Sequence, residues 1–327
     1  MRTIFSGIKP TGHLTLGNYL GALGRFVDLQ HEALCVFSIV DLHAMTVEHS
    51  PDRLRELTRE AATLYLAAGL DPDVCVVVRQ SAVGALHAEL TYLMECTAYV
   101  GELQRMIQYK EKGRGRPKTR ASLLTYPALM AADILLYGTT HVPVGDDQKQ
   151  HVELTRDLAV RFNRTYGEVF VVPEMMDAAV AARVMDLQEP TKKMMKSTSD
   201  DSLGQIRLLD PPDVVRRKMR RAVTDSDGVV RVDRDGKPGL TNLLEILAAA
   251  TGEESVETVA ARYASYGQLK RDTADAVVAV LEPLQKSYAD LAKDPAAVDA
   301  ILAAGADRAR DLGTPYLAAA KEAMGVG

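Results

Sequence analysis

In the first half of the chain, short apolar runs of strand length alternate with longer amphipathic segments. This pattern suits strands buried on both faces and leaves few folds open. The runs are Thr3 to Ser6, Leu34 to Val40, Val74 to Arg79, His141 to Val144 and Val169 to Val172. Each is followed by a helix or a loop, so together they predict an α/β fold, a doubly wound parallel sheet. After the first run, Leu16, Leu20, Leu23 and Val27 fall at spacings of four, three and four, one helical stripe aimed at the sheet. Gly17, Gly21 and Gly24 leave the other side of that helix thin, which predicts close approach of a ligand or a neighbouring backbone. Gly84 to Gly138 reads as mostly helical, interrupted by a basic loop from Gly113 to Lys118 and by Pro127. Beyond Val184 the pattern changes to charged helices: Pro212 to Val223, Leu240 to Ala250, Ser255 to Tyr263, Gln268 to Leu291, and a last one, Tyr316 to Met324, started by Thr314-Pro315. Asp227-Gly228 and Asp235-Gly236-Lys237-Pro238-Gly239 are turn chemistry for a short hairpin or link.

A chain of 327 residues accommodates one large domain and a smaller one. Its net charge of −5 argues against a protein that coats nucleic acid indiscriminately. Basic residues still cluster, in one run of Lys110, Lys112, Arg114, Arg116, Lys118 and Arg120 and another of Arg216, Arg217, Lys218, Arg220 and Arg221. Cys35, Cys75 and Cys96 lie in apolar contexts without a Cys-x-x-Cys pair, which predicts buried, reduced thiols in a cytoplasmic protein. The opening apolar run is too short for a signal peptide, and no run is long enough to span a bilayer, so no membrane partner is expected.

Two segments far apart in sequence are suited to phosphate. Pro10-Thr11-Gly12-His13-Leu14-Thr15-Leu16-Gly17-Asn18 puts a glycine turn and a helix N-terminus after a strand, where backbone N–H groups and the helix dipole hold anions. Pro190-Thr191-Lys192-Lys193-Met194-Met195-Lys196-Ser197 supplies three lysines on a loop. Alone, Thr15 to Asn18 reads as a helix cap; beside the lysine loop it reads as half of a nucleotide clasp. The pair resembles the two signatures of class I aminoacyl-tRNA synthetases. Thr3-Ile4-Phe5-Ser6-Gly7-Ile8, Gly17-Asn18-Tyr19, Leu124-Thr125-Tyr126-Pro127, Met130-Ala131-Ala132-Asp133-Ile134-Leu135-Leu136-Tyr137, Val142-Pro143-Val144-Gly145-Asp146-Asp147-Gln148-Lys149-Gln150-His151 and Lys237-Pro238-Gly239 look like the bacterial tryptophanyl-tRNA synthetases. The likeness runs the length of the chain.

The resemblance implies a Rossmann-like catalytic domain with helical insertion over 1–185. A smaller all-helical anticodon-binding domain, entered through the lysine loop, would cover 186–292, and C-terminal helices packing back on the catalytic domain 293–327. It implies ATP with Mg²⁺ held by phosphates and water, with no protein metal ligands; tryptophan and tRNA(Trp) as partners, with no DNA; and a homodimer built on the helices from Gly84 to Tyr137. Lys193, Lys196, Thr15, Asn18 and Lys112 would be catalytic, placing positive charge and hydrogen bonds where phosphoryl oxygens gain charge. Lys9, Gly17, Asn18, Asp147, Val184, Lys193, Met194 and Lys196 would line the ATP site, whereas Lys192 reads as a surface lysine. For tryptophan, Asp133 would accept the indole N–H, and Phe5, Gly7, Met130, Val142 and Val144 would wall the ring. His43, Tyr126 and Gln148 would hold the amino and carboxylate ends. Without the resemblance, Asp133 could equally cap a helix or pair with an arginine. His13, His87 and His151 have no partner constellation in sequence and read as packing or surface residues.

Two departures stand out. Lys9 occupies a position where bacterial members carry glutamine, and Met195 replaces the usual serine of the lysine loop. The extra cation implies tolerance of neutral tryptophan mimics such as indolmycin, an inhibitor of bacterial members. The chain also contains no tryptophan. Rival readings are a tyrosyl-tRNA synthetase, an inactive RNA-binding paralogue, and a small adenylyltransferase. Against them stand, in turn, the Met-Ala-Ala-Asp context, the retained Lys193, Lys196, Asp133, Asp147 and Gln148, and the C-terminal helices.

Overall fold

The computed structural model describes residues 2–113, 115–145, 148–177, 184–196 and 202–327. Strands β1 (Thr3–Ile8), β2 (Leu34–Ile39), β3 (Val76–Arg79), β4 (His141–Val144) and β5 (Glu174–Asp177) form one parallel sheet in the order β3-β2-β1-β4-β5. The chain starts at the centre, winds out through β2 to β3, and crosses back to β4 and β5. That reversal opens a crevice between β1 and β4 at the carboxyl ends of the strands, where open α/β sheets bind ligands.

Strand side chains alternate between faces, so a sheet covered on both sides divides its apolar residues into two cores. Ile4, Ile8, Cys35, Phe37, Ile39 and Val77 join one core; Phe5, Val36, Val76, Val78, Val142 and Val144 join the other. The first core continues without a break into the helices Pro212–Arg220, Pro238–Thr251 and Tyr266–Leu291 through Val215, Met219, Leu244, Leu269 and Val277. The C-terminal helix, Pro295–Met324, lies across β3 so closely that a Cβ at Gly305 would sit 2.0 Å from the Val77 carbonyl oxygen, and only glycine permits that crossing.

Several expectations need correction. Val169 to Val172 is not a strand. The Asn163 amide occupies its backbone, with Oδ1 accepting from Val169 N (3.1 Å) and Phe170 N (2.9 Å) and Nδ2 donating to the Phe170 carbonyl (2.7 Å). The fifth strand is Glu174–Asp177, a sequence with none of the β-branched residues that mark strands. The first helical run, 16–29, contains a π turn at Tyr19–Leu23, so its fully buried stripe is Leu16, Leu23, Phe26 and Leu29. Pro127 lies inside the helix Ala121–Leu135, and Thr314-Pro315 lies inside Pro295–Met324, where the Thr314 hydroxyl donates to the Arg310 carbonyl at 2.7 Å. No ladder forms over 225–237. Instead Lys237, 2% exposed, binds Asp225 (2.8 Å), Asp227 and the Tyr266 hydroxyl (2.8 Å). Cys35 and Cys75 are buried as expected, but Cys96 is exposed. Among the described residues, no helix is long and apolar enough to cross a membrane.

Candidate active site

The candidate residues converge because successive strands end on the same side of the sheet. Lys9 follows β1, the short helix Asp41–Ala44 carrying His43 follows β2, Gln80 follows β3, and Gln148 starts the helix Lys149–Tyr166 after β4. Asp133 comes from the helix Ala121–Leu135, which packs over the face containing Phe5, Val142 and Val144.

Asp133 is 1% exposed. His43 Nε2 lies 2.8 Å from its Oδ2, and Gln80 Nε2 donates to both carboxylate oxygens, at 2.7 Å and 2.9 Å. His87 Nδ1 stands 2.6 Å from Oδ1, and its Nε2 is 2.8 Å from the Tyr137 hydroxyl. Burial alone would raise the Asp133 pKa. The neighbouring His87 and His43 imidazoles outweigh it, so the carboxyl is held at about 2 and stays ionised. Gln80 also fixes His43 indirectly, since its Oε1 accepts from Leu42 N at 3.0 Å. Phe5, Val142 and Val144 are each at most 5% exposed and join half-buried Met130 in one apolar cluster. The result is an ionised carboxylate set against an apolar cluster. His43 thus contacts Asp133 directly. Tyr126 packs edge-on to His43 and hydrogen-bonds His151 Nε2.

The other side of the crevice is cationic. Lys9 Nζ donates to Thr46 Oγ1 at 2.9 Å, so Lys9 is tethered rather than loose in solvent. Lys196 Nζ donates to the Lys9 carbonyl at 2.6 Å. Burial and the charge of Lys112 lower Lys9 to a pKa of about 8; burial and the charge of Lys9 lower Lys196 to about 7. Lysines drawn together this way favour a polyanion, which relieves their repulsion and restores their protons.

The two signature segments touch. A Cβ on Gly17 would lie 3.5 Å from Val184 Cβ and 3.7 Å from Met194 Cβ, so the lysine loop lies against the start of the first helix. An isolated bridge joins Met185 to Lys193, and the Asn242 side chain pins Met185 by accepting from its N–H at 2.8 Å and donating to its carbonyl at 3.0 Å. Thr15 is 1% exposed and donates its hydroxyl to Asn18 Oδ1 at 3.2 Å, while Asn18 Oδ1 also accepts Thr15 N at 3.0 Å. Thr15 thus has the geometry of a helix cap. Lys192 pairs with Glu189 on the surface, and Met195 is 68% exposed. Asp147 and Ser197 lie outside the described residues.

Sequence reasoning missed Gln80 and misread three histidines. His87 is fully buried on Asp133, His151 meets Tyr126, and His13 sits between Glu60 (2.8 Å) and Arg53 (2.6 Å). No spacing rule could pair His87 or Gln80 with Asp133, because the contacts span 46 and 53 residues and come from different elements.

Comparison with known proteins identifies the family. Residues 1–282 match the family described as tRNA synthetases class I (W and Y). The chain is 59% identical over 331 aligned positions to tryptophan–tRNA ligase 1 of Streptomyces avermitilis, covering 100% of this chain and 99% of that one. The crystal structure of tryptophanyl-tRNA synthetase from Mycoplasma pneumoniae superposes with a TM-score of 0.91 at 36% identity, covering 100% of this chain and 98% of the other. That of the Campylobacter jejuni enzyme, complexed with ADP and tryptophan, gives 0.82 at 31%, covering 99% and 100%.

The lowered lysine pKa values carry a measurable consequence. At pH 8 Lys9 is roughly half protonated and Lys196 mostly neutral, and a nearby polyphosphate raises both. Binding of a nucleoside triphosphate at pH 8 is therefore expected to take up protons, seen by calorimetry as a binding heat that varies with the buffer's ionisation enthalpy. Identical heats in two such buffers would contradict the lysine cluster.

Proposed function

This chain belongs to the bacterial tryptophanyl-tRNA synthetases of class I, and from that premise we propose how its residues join tryptophan to tRNA. The reaction has two steps. The tryptophan carboxylate attacks the α-phosphate of ATP and expels pyrophosphate; a ribose hydroxyl of the terminal adenosine of tRNA(Trp) then attacks the adenylate carbonyl, forming the ester and releasing AMP. Little covalent chemistry falls to the protein; alignment and positive charge do most of it.

The observation that carries the reading is the pairing of an apolar cluster against buried Asp133 with a lysine cluster on the same crevice. The apolar cluster is the slot for the indole ring, with Asp133 accepting its N–H and Phe5, Gly7, Met130, Val142 and Val144 enclosing its faces. His43 steadies Asp133, and Tyr126 and Gln148 receive the amino and carboxylate groups. Gly17, Asn18, Val184 and Met194 bracket the nucleotide. Asp147, outside the described residues, is assigned to the ATP site by the family likeness alone. Lys193, Lys196 and Lys112 draw charge onto the departing pyrophosphate. Mg²⁺ enters with ATP on its phosphates, and among the described residues no group of His, Cys, Asp and Glu is arranged to hold a metal.

The helices after Val184 are proposed as the anticodon-binding part. Of the basic run, Arg217, Arg220 and Arg221 are exposed for RNA contact, and Arg216 is exposed but paired with Asp275 at 2.9 Å. Lys218 is buried on Asp210 at 2.6 Å, so its role is in the fold. For such an enzyme the working compartment is the cytoplasm, in keeping with two buried thiols whose pKa values burial pushes up to about 12 (Cys35) and about 11 (Cys75).

The test is ATP–pyrophosphate exchange dependent on tryptophan and on no other amino acid. Lys196→Ala is expected to slow adenylate formation by about 10²- to 10³-fold with tryptophan binding nearly unchanged, because the charge acts on the leaving group. Activation at the wild-type rate in pre-steady-state kinetics would remove Lys196 from the mechanism.

A homodimer is proposed from the exposed apolar face of the helices Gly84–Thr97 and Val100–Arg105, where Tyr92 is 66%, Tyr99 63% and Val100 62% exposed. Tyr92→Glu is expected to convert a dimer to a monomer in sedimentation at micromolar concentration; an unchanged sedimentation coefficient would refute this face.

Lys9 supports a second reading, tolerance of neutral tryptophan mimics. Its tether to Thr46 holds the cation inside the crevice, where it favours the anionic adenylate over a neutral inhibitor. Lys9→Gln is expected to lower the indolmycin inhibition constant by about tenfold or more. A variant no more sensitive than its parent would end the idea.

A further inference from the structure

His87 has no part in the mechanism above, although it is fully buried and lies against the one carboxylate in the amino-acid slot. The two oxygens of Asp133 face different surroundings. Gln80 donates to both oxygens; Oδ1 also meets His87, and Gln80 and His87 are each 0% exposed. Oδ2 meets His43, whose side chain is 10% exposed, making it the contact nearest the open slot. On the far side of His87, Nε2 stands 2.8 Å from the Tyr137 hydroxyl. Burial and the Asp133 charge raise the Tyr137 pKa, so that hydroxyl keeps its proton and can donate to an unprotonated Nε2. A neutral imidazole that accepts at Nε2 carries its proton on Nδ1, the atom facing Asp133.

The Nδ1 contact is close, at 2.6 Å, but its N–H is not aligned as a hydrogen bond. Tyr137 also stacks on Phe5, a wall of the slot, with ring centroids 5.8 Å apart and planes 15° from parallel. The ring face and the N–H end of the slot are therefore joined through one chain of contacts, Phe5 to Tyr137 to His87 to Asp133.

We propose that His87 is a positioning residue for amino-acid selection, bracing Oδ1 of Asp133 so that Oδ2 is presented to the indole N–H, with Tyr137 fixing the tautomer and orientation of the imidazole. This rests on the reading of Asp133 as the indole acceptor. It makes the enzyme's preference for a ring N–H depend on a residue that never touches substrate.

The test compares tryptophan with β-(benzothiophen-3-yl)alanine, which has sulfur in place of the ring N–H, by kcat/KM in ATP–pyrophosphate exchange. The proteins are the wild type, Asp133→Ala, His87→Leu, His87→Asn and Tyr137→Phe. His87→Leu is expected to lower the tryptophan value by about 10- to 100-fold, mainly through KM, while leaving the sulfur analogue within about threefold. His87→Asn regains part of the preference because its amide can donate towards Oδ1, and Tyr137→Phe loses a smaller part. A His87→Leu protein that loses both substrates equally, with their ratio unchanged, overturns the proposal in favour of a packing role. If Asp133→Ala also keeps the wild-type ratio, the indole anchor itself is misassigned, and that failure is distinct from failure of the brace. Should His87→Leu not fold, unchanged ratios in both His87→Asn and Tyr137→Phe overturn the proposal.

Discussion

Asp133 keeps its charge in the interior through contacts from three separate segments: His43 after β2, Gln80 after β3 and His87 on the helix Gly84–Thr97. An ionised carboxylate without such partners costs several kcal/mol of desolvation, and removing any one partner leaves part of that cost uncompensated. The network therefore ties the helices Gly84–Thr97 and Ala121–Leu135 to the β3 edge of the sheet. Gln80 extends the tie by holding Leu42 N, so that the helix bearing His43 cannot shift independently of β3.

Across the crevice the opposite principle operates. Lys9 and Lys196 are brought together with their pKa values depressed, a local charge excess that a bound polyphosphate relieves. This site is assembled by long-range packing as well. Met194 and Val184 rest on Gly17, and Asn242 clamps Met185, so the lysine loop is held from the sheet on one side and from the helix Pro238–Thr251 on the other. Any shift of those helices relative to the sheet is thus transmitted to the lysines.

Apolar alternation marked four of the five strands, because a parallel strand buried on both faces must be apolar throughout. It misled at Val169 to Val172, where Asn163 supplies side-chain hydrogen bonds in place of a ladder. The signature segments were legible because phosphate chemistry demands glycine, helix N-termini and lysine at short spacing. Asp133 was legible as a carboxylate in an apolar helix, costly without a partner, but a helix cap or an arginine fitted it equally well until the family likeness was added.

The sequence by itself determined the parallel α/β sheet and the family, since these depend on local periodicity and on short contiguous motifs. Only the tertiary structure decided that His87 and Gln80 belong to Asp133, that Lys218 is spent in an ion pair while its neighbours are exposed, and that Cys96 faces outward. It also decided that Gly305 is where the last helix crosses β3. Each of these depends on which distant segments meet. A histidine, a lysine or a glycine carries no local mark of its partner, because the partner is set by the packing of whole elements rather than by the residues beside it.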